Sequence, residues 1–374
     1  MEPQNAIRIG ERATTMRATT MQDVAQALGL TKATVSYALN GKGRVSPETR
    51  QVVLDAVRKM NFRPNPHAQR LNSGRCHDTV GLFTFSLDLG VTTRKLQLLQ
   101  QLLSEQGYHA PIHVCGGESS GIDAEFQAEA MGNLRLQRPL AIICNTLSLH
   151  PQALEELQLY IAEGGVAVCY DVAVDVDCDQ VLFDREDNTH AATRHLLELG
   201  HRRIAFHGGW EEPHPLRLAG YRRALREFGV EMQHEWLLSG RQTSGRHEER
   251  GGTDEENGAC LVDSFLNLSS RPTAACITDD AVAAAFVAEL GRRGVPVPAA
   301  VSVVGQDDLP LAAYVSAVPL STVSQPVEAI VREVVRLLTE RLTERLAGQA
   351  PPTPRRHTLR GELIQRQSTA PVAF

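Results

Sequence analysis

Aromatic side chains are scarce, with Phe, Trp and Tyr making up 5% of the 374 residues. Long apolar runs are missing as well. None approaches the roughly 18 residues of a membrane span, and the N-terminus lacks the apolar core of a signal peptide. These absences exclude a spanning helix and lead to the expectation of a cytoplasmic protein that makes no membrane contact. Paired metal-ligand spacings are lacking too. Cys76, Cys115, Cys144, Cys169, Cys178, Cys260 and Cys276 are odd in number, scattered, and never spaced Cys-x-x-Cys. His190, His195, His201, His207 and His214 do not fall with carboxylates or cysteines as a closed metal site would require. Buried or free thiols in a reducing compartment are expected, with no metal and no cofactor.

What is present is concentrated in residues 20–71. A hydroxyl at Thr20 with Asp23 three places on is a capping-box pattern. Val24, Ala25 and Leu28 then share one helical face. Gly29 breaks the helix, and Thr31 can cap a second one running to about Asn40. Its inward residues are Val35, Ala38 and Leu39. Lys32, Ala33, Thr34, Ser36 and Tyr37 are left facing partly outward, a surface of small, polar and basic groups suited to base edges in a major groove. Ser46-Pro47 opens a third helix with the stripe Val53, Ala56, Val57 and Met60. Such a pattern is a helix-turn-helix with a supporting third helix.

Charge agrees with that reading. Residues 19–75 carry nine basic against three acidic side chains, whereas the whole chain is formally −6. Residues 1–18 add about +1, so the remainder after residue 75 sums to about −13. A basic end on an acidic body confines phosphate binding to one surface and makes it steeply salt-dependent.

The residues Asp23-Val24-Ala25, Gly29-Leu30-Thr31, Thr34-Val35-Ser36, Asn40, Val45-Ser46, Thr49-Arg50 and Asn65-Pro66 resemble the lactose/galactose repressor family of bacterial transcription regulators. The resemblance implies DNA contact by Thr20, Thr31, Lys32, Ala33, Thr34, Ser36, Tyr37, Asn40, Arg63, Asn65, His67 and Leu71. It also implies that residues 63–77, a linker in isolation, order as a hinge helix when two subunits sit on DNA. Leu71 would then wedge into the central minor groove, consistent with the few kcal/mol that unstacking a base step costs. Residues 1–18, with a repeated Ala-Thr-Thr-Met, read as a disordered leader.

From residue 78 the pattern alternates. Strands are expected at 79–85, 110–115, 140–145 and 166–170, with helices at 96–106, 124–136 and 154–162. A second set begins near Phe183, with helices at 189–199, 215–228 and 281–291 and strands at 203–206, 274–278 and 301–305. Short apolar strands alternating with helices define a doubly wound parallel α/β sheet, here twice over: two lobes with a cleft between them. Asp187-Asn188, residues 199–204, Gly208-Gly209, residues 217–221, Asp279-Asp280, residues 302–308, 321–326 and 363–366 resemble the family's periplasmic-binding-protein-like body. On that resemblance the first lobe is expected at 78–184 and 322–344, and the second at 185–321 and 345–374.

The resemblance places Arg217, Asp279 and Asp307 toward the cleft, with Phe183 as an apolar platform and Asp171 from the first lobe. Arginine and carboxylates in a fixed array suit a polyhydroxylated ligand, each hydroxyl donating to Asp and accepting from Arg. A sugar or sugar-like effector is the first expectation; a purine, a phosphorylated sugar or no effector are alternatives. Asp279 could instead cap the helix at Ala281, and Arg217 could bridge surface carboxylates. Departures from the family pattern include residues 86–91, Pro139-Leu140-Ala141, and Gly361 where proline is usual. Segment 240–258 is long and charged and reads as a solvated loop.

Two other classes compete. Gly117-Glu118-Ser119-Ser120-Gly121 fits G-x-S-x-G between a strand and a helix, as a hydrolase nucleophile elbow would. His207-Gly208-Gly209, however, follows it by some ninety residues instead of preceding it as an oxyanion loop should. Glycine and serine there make a turn, and no enzyme is expected. A transport-binding protein would share the lobes but not the basic head. The expected protein is a DNA-binding regulator, a repressor acting as a homodimer on a palindromic operator. The final helix shows no tetramer heptad.

Overall fold

The structure is a computed structural model that describes residues 20–40, 45–60, 78–87, 90–116, 124–209, 214–238, 254–349 and 353–372. The side chains of residues 40 and 254–257 lie outside that set. The chain divides into two compact units, residues 1–76 and 77–374.

In the first unit, α1 (Met21–Leu28), α2 (Lys32–Asn40) and α3 (Pro47–Lys59) follow in order. Each start is fixed locally. The Thr20 hydroxyl accepts from Asp23 N–H at 3.3 Å while Asp23 Oδ2 accepts from Thr20 N–H at 2.7 Å, closing the capping box. Thr31 Oγ1 accepts from Thr34 N–H at 3.1 Å, and Ser46 Oγ from Thr49 N–H at 3.2 Å. Each such cap contributes about 1 kcal/mol. Gly29 ends α1 at φ 64°, a left-handed turn glycine adopts without strain. Val24, Ala25, Val35, Ala38 and Val53 are the buried core, walled by Leu28, Leu39, Ala56, Val57 and Met60.

The second unit holds two sheets. The first comprises β1 (Val80–Thr84), β2 (Ile112–Val114), β3 (Ala141–Asn145), β4 (Val166–Asp171), β5 (Asp179–Phe183) and β10 (Arg356–Leu359), in the order β10-β5-β4-β3-β1-β2 and parallel throughout. The second comprises β6 (Ile204–His207), β7 (Ala274–Ile277), β8 (Ser302–Asp307), β9 (Ser321–Ser324) and β11 (Leu363–Ile364), in the order β11-β9-β8-β7-β6, with only β11 antiparallel. Helices α4 (Gly90–Glu105), α5 (Ala124–Leu136), α6 (Pro151–Ala162) and α12 (Val327–Leu346) cover the first sheet. Helices α7 (Arg185–Glu198), α8 (Pro215–Glu227), α9 (Asp254–Leu266), α10 (Asp280–Arg292) and the short α11 (Pro310–Tyr314) serve the second.

The lobes exchange chain three times, after β5, β9 and β10. β5, ending at Phe183, belongs to the first sheet, within the 78–184 expected for the first lobe. Several other expectations change. Ser321–Ser324 pairs in the second sheet and Arg356–Leu359 in the first. The two late crossings thus fall near 325 and 360, not at 321/322 and 344/345. Helix α4 starts at Gly90, six residues ahead of the expected 96, because Val91, Thr92 and Lys95 are buried on its inner face. The end of segment 240–258, read as a loop, is the first turn of α9; residues 240–253 lie outside the described residues.

Two glycines are demanded by close approach. A Cβ on Gly220 would lie 2.1 Å from Glu186 O, where α8 crosses α7. At Gly361 a Cβ would meet Ser324 O at 1.7 Å, and its N–H donates to Asn188 Oδ1 at 2.9 Å. Proline there could neither fit nor donate, which accounts for this departure from the family pattern.

Candidate functional site

On the helix-turn-helix unit, α2 presents Lys32, Ala33 and Tyr37 to solvent, with Tyr37 51% exposed. Thr34 and Ser36 are half-buried. An aromatic half in water beside an exposed lysine has no role in the small core and leaves a face free to read base edges. The hydroxyls of Thr20 and Thr31 serve as caps. Arg63, Asn65, His67 and Leu71 lie outside the described residues, as do residues 1–18 and 117–121, the segment of the hydrolase-like turn.

In the body, the carboxyl ends of β4, β5, β6 and β8 bring charged groups together from both lobes, the place where open α/β sheets receive ligands. Asp171 ends β4 at φ 100° and Asp307 ends β8 at φ 112°, both non-glycine residues in left-handed backbone. Such geometry costs about 1–3 kcal/mol apiece and collects at functional sites. The Asp171 carboxylate is fully engaged. Lys95 Nζ, wholly buried in α4, donates to Oδ2 at 3.0 Å, and Arg185 donates to Oδ1 and, at 3.2 Å, to the Asp171 carbonyl. Burial by itself would raise this carboxyl's pKa; Arg185, then Lys95, override it and hold it well below the usual carboxylate range.

Asp307 differs. It is buried and accepts from Gln325 Nε2 at 2.6 Å. Burial and then the charge of Asp279 push its pKa up to about 6, against the pull of Arg217. Asp279 caps α10 through Oδ1, accepting from Ala281 N–H at 2.8 Å and Val282 N–H at 3.2 Å. The capping role raised as an alternative is therefore real, and Asp279 also sits within electrostatic reach of Arg217. Its neighbour Asp280 is buried between Thr322 Oγ1 (2.8 Å) and Leu309 N–H (2.9 Å), and burial followed by Asp307 raises its pKa well above normal. Arg217, in the first turn of α8, makes no ion pair among the described residues. Its Nη1 reaches Gly208 O at 3.4 Å, and its Nε is buried without a partner. Among the described residues it bridges no surface carboxylate.

Phe183, expected as an apolar platform, ends β5. It is 4% exposed within the first-lobe core, and the Arg185 guanidinium lies 5.6 Å from its ring centre. Lys95, Arg185, His214 and Gln325 were not read from the sequence. A lysine on an otherwise apolar helix face, Val91-x-x-x-Lys95-Leu96, was the one available signal.

A small helix-turn-helix head joined to a two-lobed body with a buried polar site between its sheets defines a ligand-responsive DNA-binding regulator. Residues 20–65 match the model of the lacI family of bacterial regulatory proteins, and residues 193–369 match a periplasmic binding protein-like domain. The chain is 30% identical to the HTH-type transcriptional regulator AscG of Escherichia coli (strain K12) over 324 residues, spanning 84% of this chain and 90% of that one. Its fold is similar to the lac repressor dimer bound to operator and the anti-inducer ONPF (TM-score 0.75, 26% identity, 95% of this chain and 100% of that one). It is also similar to the transcriptional regulator CelR in complex with cellobiose (TM-score 0.61, 28% identity, 94% and 99%). The chain belongs to the lacI family of bacterial regulatory proteins and is a DNA-binding transcriptional regulator. No described helix is long and apolar enough to cross a membrane.

Proposed function

We propose that this protein is a dimeric repressor that binds a palindromic operator and is switched by a sugar or sugar-like metabolite held between the lobes. Arg217, Asp279 and Asp307 contact the ligand, while Asp171 acts one step back by orienting Lys95 and Arg185. The observation that carries the reading is the pair of strained aspartates, Asp171 and Asp307, one at the end of a strand in each lobe, facing the same unpaired Arg217. Strain and a buried guanidinium Nε without a partner are costs that a bound ligand would offset.

Lac repressor's capture with an operator and an anti-inducer, and CelR's with cellobiose, support the same use of the two surfaces here. In the dimer, two copies of α2 enter successive major grooves, and the hinge residues Arg63, Asn65, His67 and Leu71 meet in the minor groove between them. Thr20, Thr31, Thr34, Ser36 and Asn40 hold phosphates and base edges around Lys32, Ala33 and Tyr37. Ligand that favours one lobe arrangement changes operator affinity by a coupling of about 1–3 kcal/mol. The protein works in the cytoplasm, without cofactor or catalysis.

Selection of bound duplexes from a random pool by the full chain, at moderate salt, should return an inverted repeat with half-sites one helical turn apart. Recovery of no common sequence, with and without sugars, would overturn the proposal.

A further inference from the structure

The interlobe site gathers charged groups of both signs. Donors stand together where α7 and α8 begin: Arg185, Arg217 and His214. His214 Nδ1 accepts from Leu216 N–H at 3.3 Å, capping α8. The neutral ring therefore carries its proton on Nε2 and offers one more N–H. It stays neutral near pH 7, because burial first, then Arg185 and Arg217, push its pKa down to about 4. Burial and then Arg185 lower the pKa of Arg217, while Asp307, Asp279 and Asp171 pull the other way. Asp171 is bonded to Arg185 and Lys95 alone, and no described carboxylate lies within ion-pair distance of Arg217. The acceptors are Asp279 and Asp307, within electrostatic reach of Arg217, and Gln325 beside Asp307. Gln325 is 8% exposed, spends its amide N–H on Asp307 and leaves a buried Oε1 without a partner.

A neutral sugar would satisfy the acceptors and leave Arg217 with no anion at ion-pair distance among the described residues. A simple anion would satisfy the cations and leave Asp279, Asp307 and Gln325 Oε1 unanswered. We infer that the ligand is a polyol with an anionic group at one end: a carboxylate or phosphate lies against Arg185, Arg217 and His214, and hydroxyls donate to Asp279, Asp307 and Gln325. Bidentate pairing of a planar guanidinium with either anion is the strong, directional contact such a site can make. The inference rests on the reading of this site as the effector site and narrows the effector from sugars at large to acidic ones.

Calorimetric titration of the full-length protein with matched sets tests it: glucose against gluconate, glucuronate and glucose 6-phosphate, and galactose against galactonate, galacturonate and galactose 6-phosphate. At least one acid should bind about tenfold or more tightly than its neutral counterpart, and the carboxylate and phosphate arms then identify the anion. Two variants, checked for unchanged circular dichroism, follow. R185Q removes one cation. H214S keeps a residue able to cap α8 but removes the imidazole donor. Each should weaken the acid about tenfold and narrow its advantage over the neutral sugar. A neutral sugar binding as tightly as its acid, or an acid's affinity unmoved in both variants, overturns the inference while leaving the effector site in place. Binding of none of these compounds overturns the inference and the sugar-effector reading together.

Discussion

Replacing Asp171 by asparagine tests the electrostatics of the first lobe directly. The change is nearly isosteric, so it removes charge without opening a cavity. Two cations lose their partner at once: Lys95, with a fully buried side chain, and Arg185, whose side chain is 3% exposed. Breaking a buried pair from one side costs about 3–5 kcal/mol, because the orphaned charge stays desolvated. For a unit of this size that is a fall in Tm on the order of 6–20 °C. Asparagine adds to the cost, since its amide N–H₂ must point at one of the two donors. Chemical or thermal denaturation of the full chain at pH 7 is the assay, with Asp175→Asn, an exposed carboxylate nearby, as control. The wild-type carboxyl has a lowered pKa, so the stability it provides is present above the ordinary carboxylate range and is lost as pH falls through its folded value. The penalty of D171N should therefore shrink toward acid pH. A Tm within 2 °C of wild type at pH 7 would refute the argument that this carboxylate holds the two cations in place.

Asp307 titrates in the opposite sense. Its pKa is raised to about 6, so the folded state holds a proton that the unfolded chain has released. Stability therefore falls as pH rises from about 4 to 6, by roughly 2–3 kcal/mol for a two-unit shift; D307N should be flatter across that window, and parallel urea-unfolding curves would show otherwise. On the DNA-reading unit, K32A and Y37A should each change which base is preferred at a half-site position, by about 1–3 kcal/mol. Competition binding over a set of operator variants checks this, and equal losses on every sequence would remove both residues from base reading. G220A should destabilise the body by about 1–3 kcal/mol, since its Cβ meets the α7 backbone at Glu186. An unchanged melting curve would mean the two helices can part without penalty.

Legibility in the sequence followed the range of the interactions. The head was readable almost to the residue because Thr20, Gly29, Thr31 and Ser46-Pro47 act within three or four positions of themselves. Helix α5 fell at the expected 124–136 for the same reason of clear periodicity. The site in the body was only half legible. Arg217, Asp279 and Asp307 were expected through resemblance alone, and one partner of Asp171, Lys95, lies 76 residues earlier. No local pattern reports a contact of that span. For Phe183 the sequence gives no guide, because an apolar residue at a strand end looks alike whether it faces ligand or core. The lobe boundaries slipped because the last strands, β9 and β10, are short polar segments whose sheet is chosen by pairing, not by composition.

The triple exchange of chain between the lobes has a consequence for synthesis. The first sheet is not closed until Arg356–Leu359 has been made and laid beside β5. The DNA-reading helices are finished by residue 59. At about 5–20 residues per second of translation, the interval is roughly 15–60 seconds. During it a nascent polypeptide carries a completed reader of DNA but no completed sensor. A message truncated before β10 would yield a protein with the same handicap, its first sheet permanently open at the β5 edge.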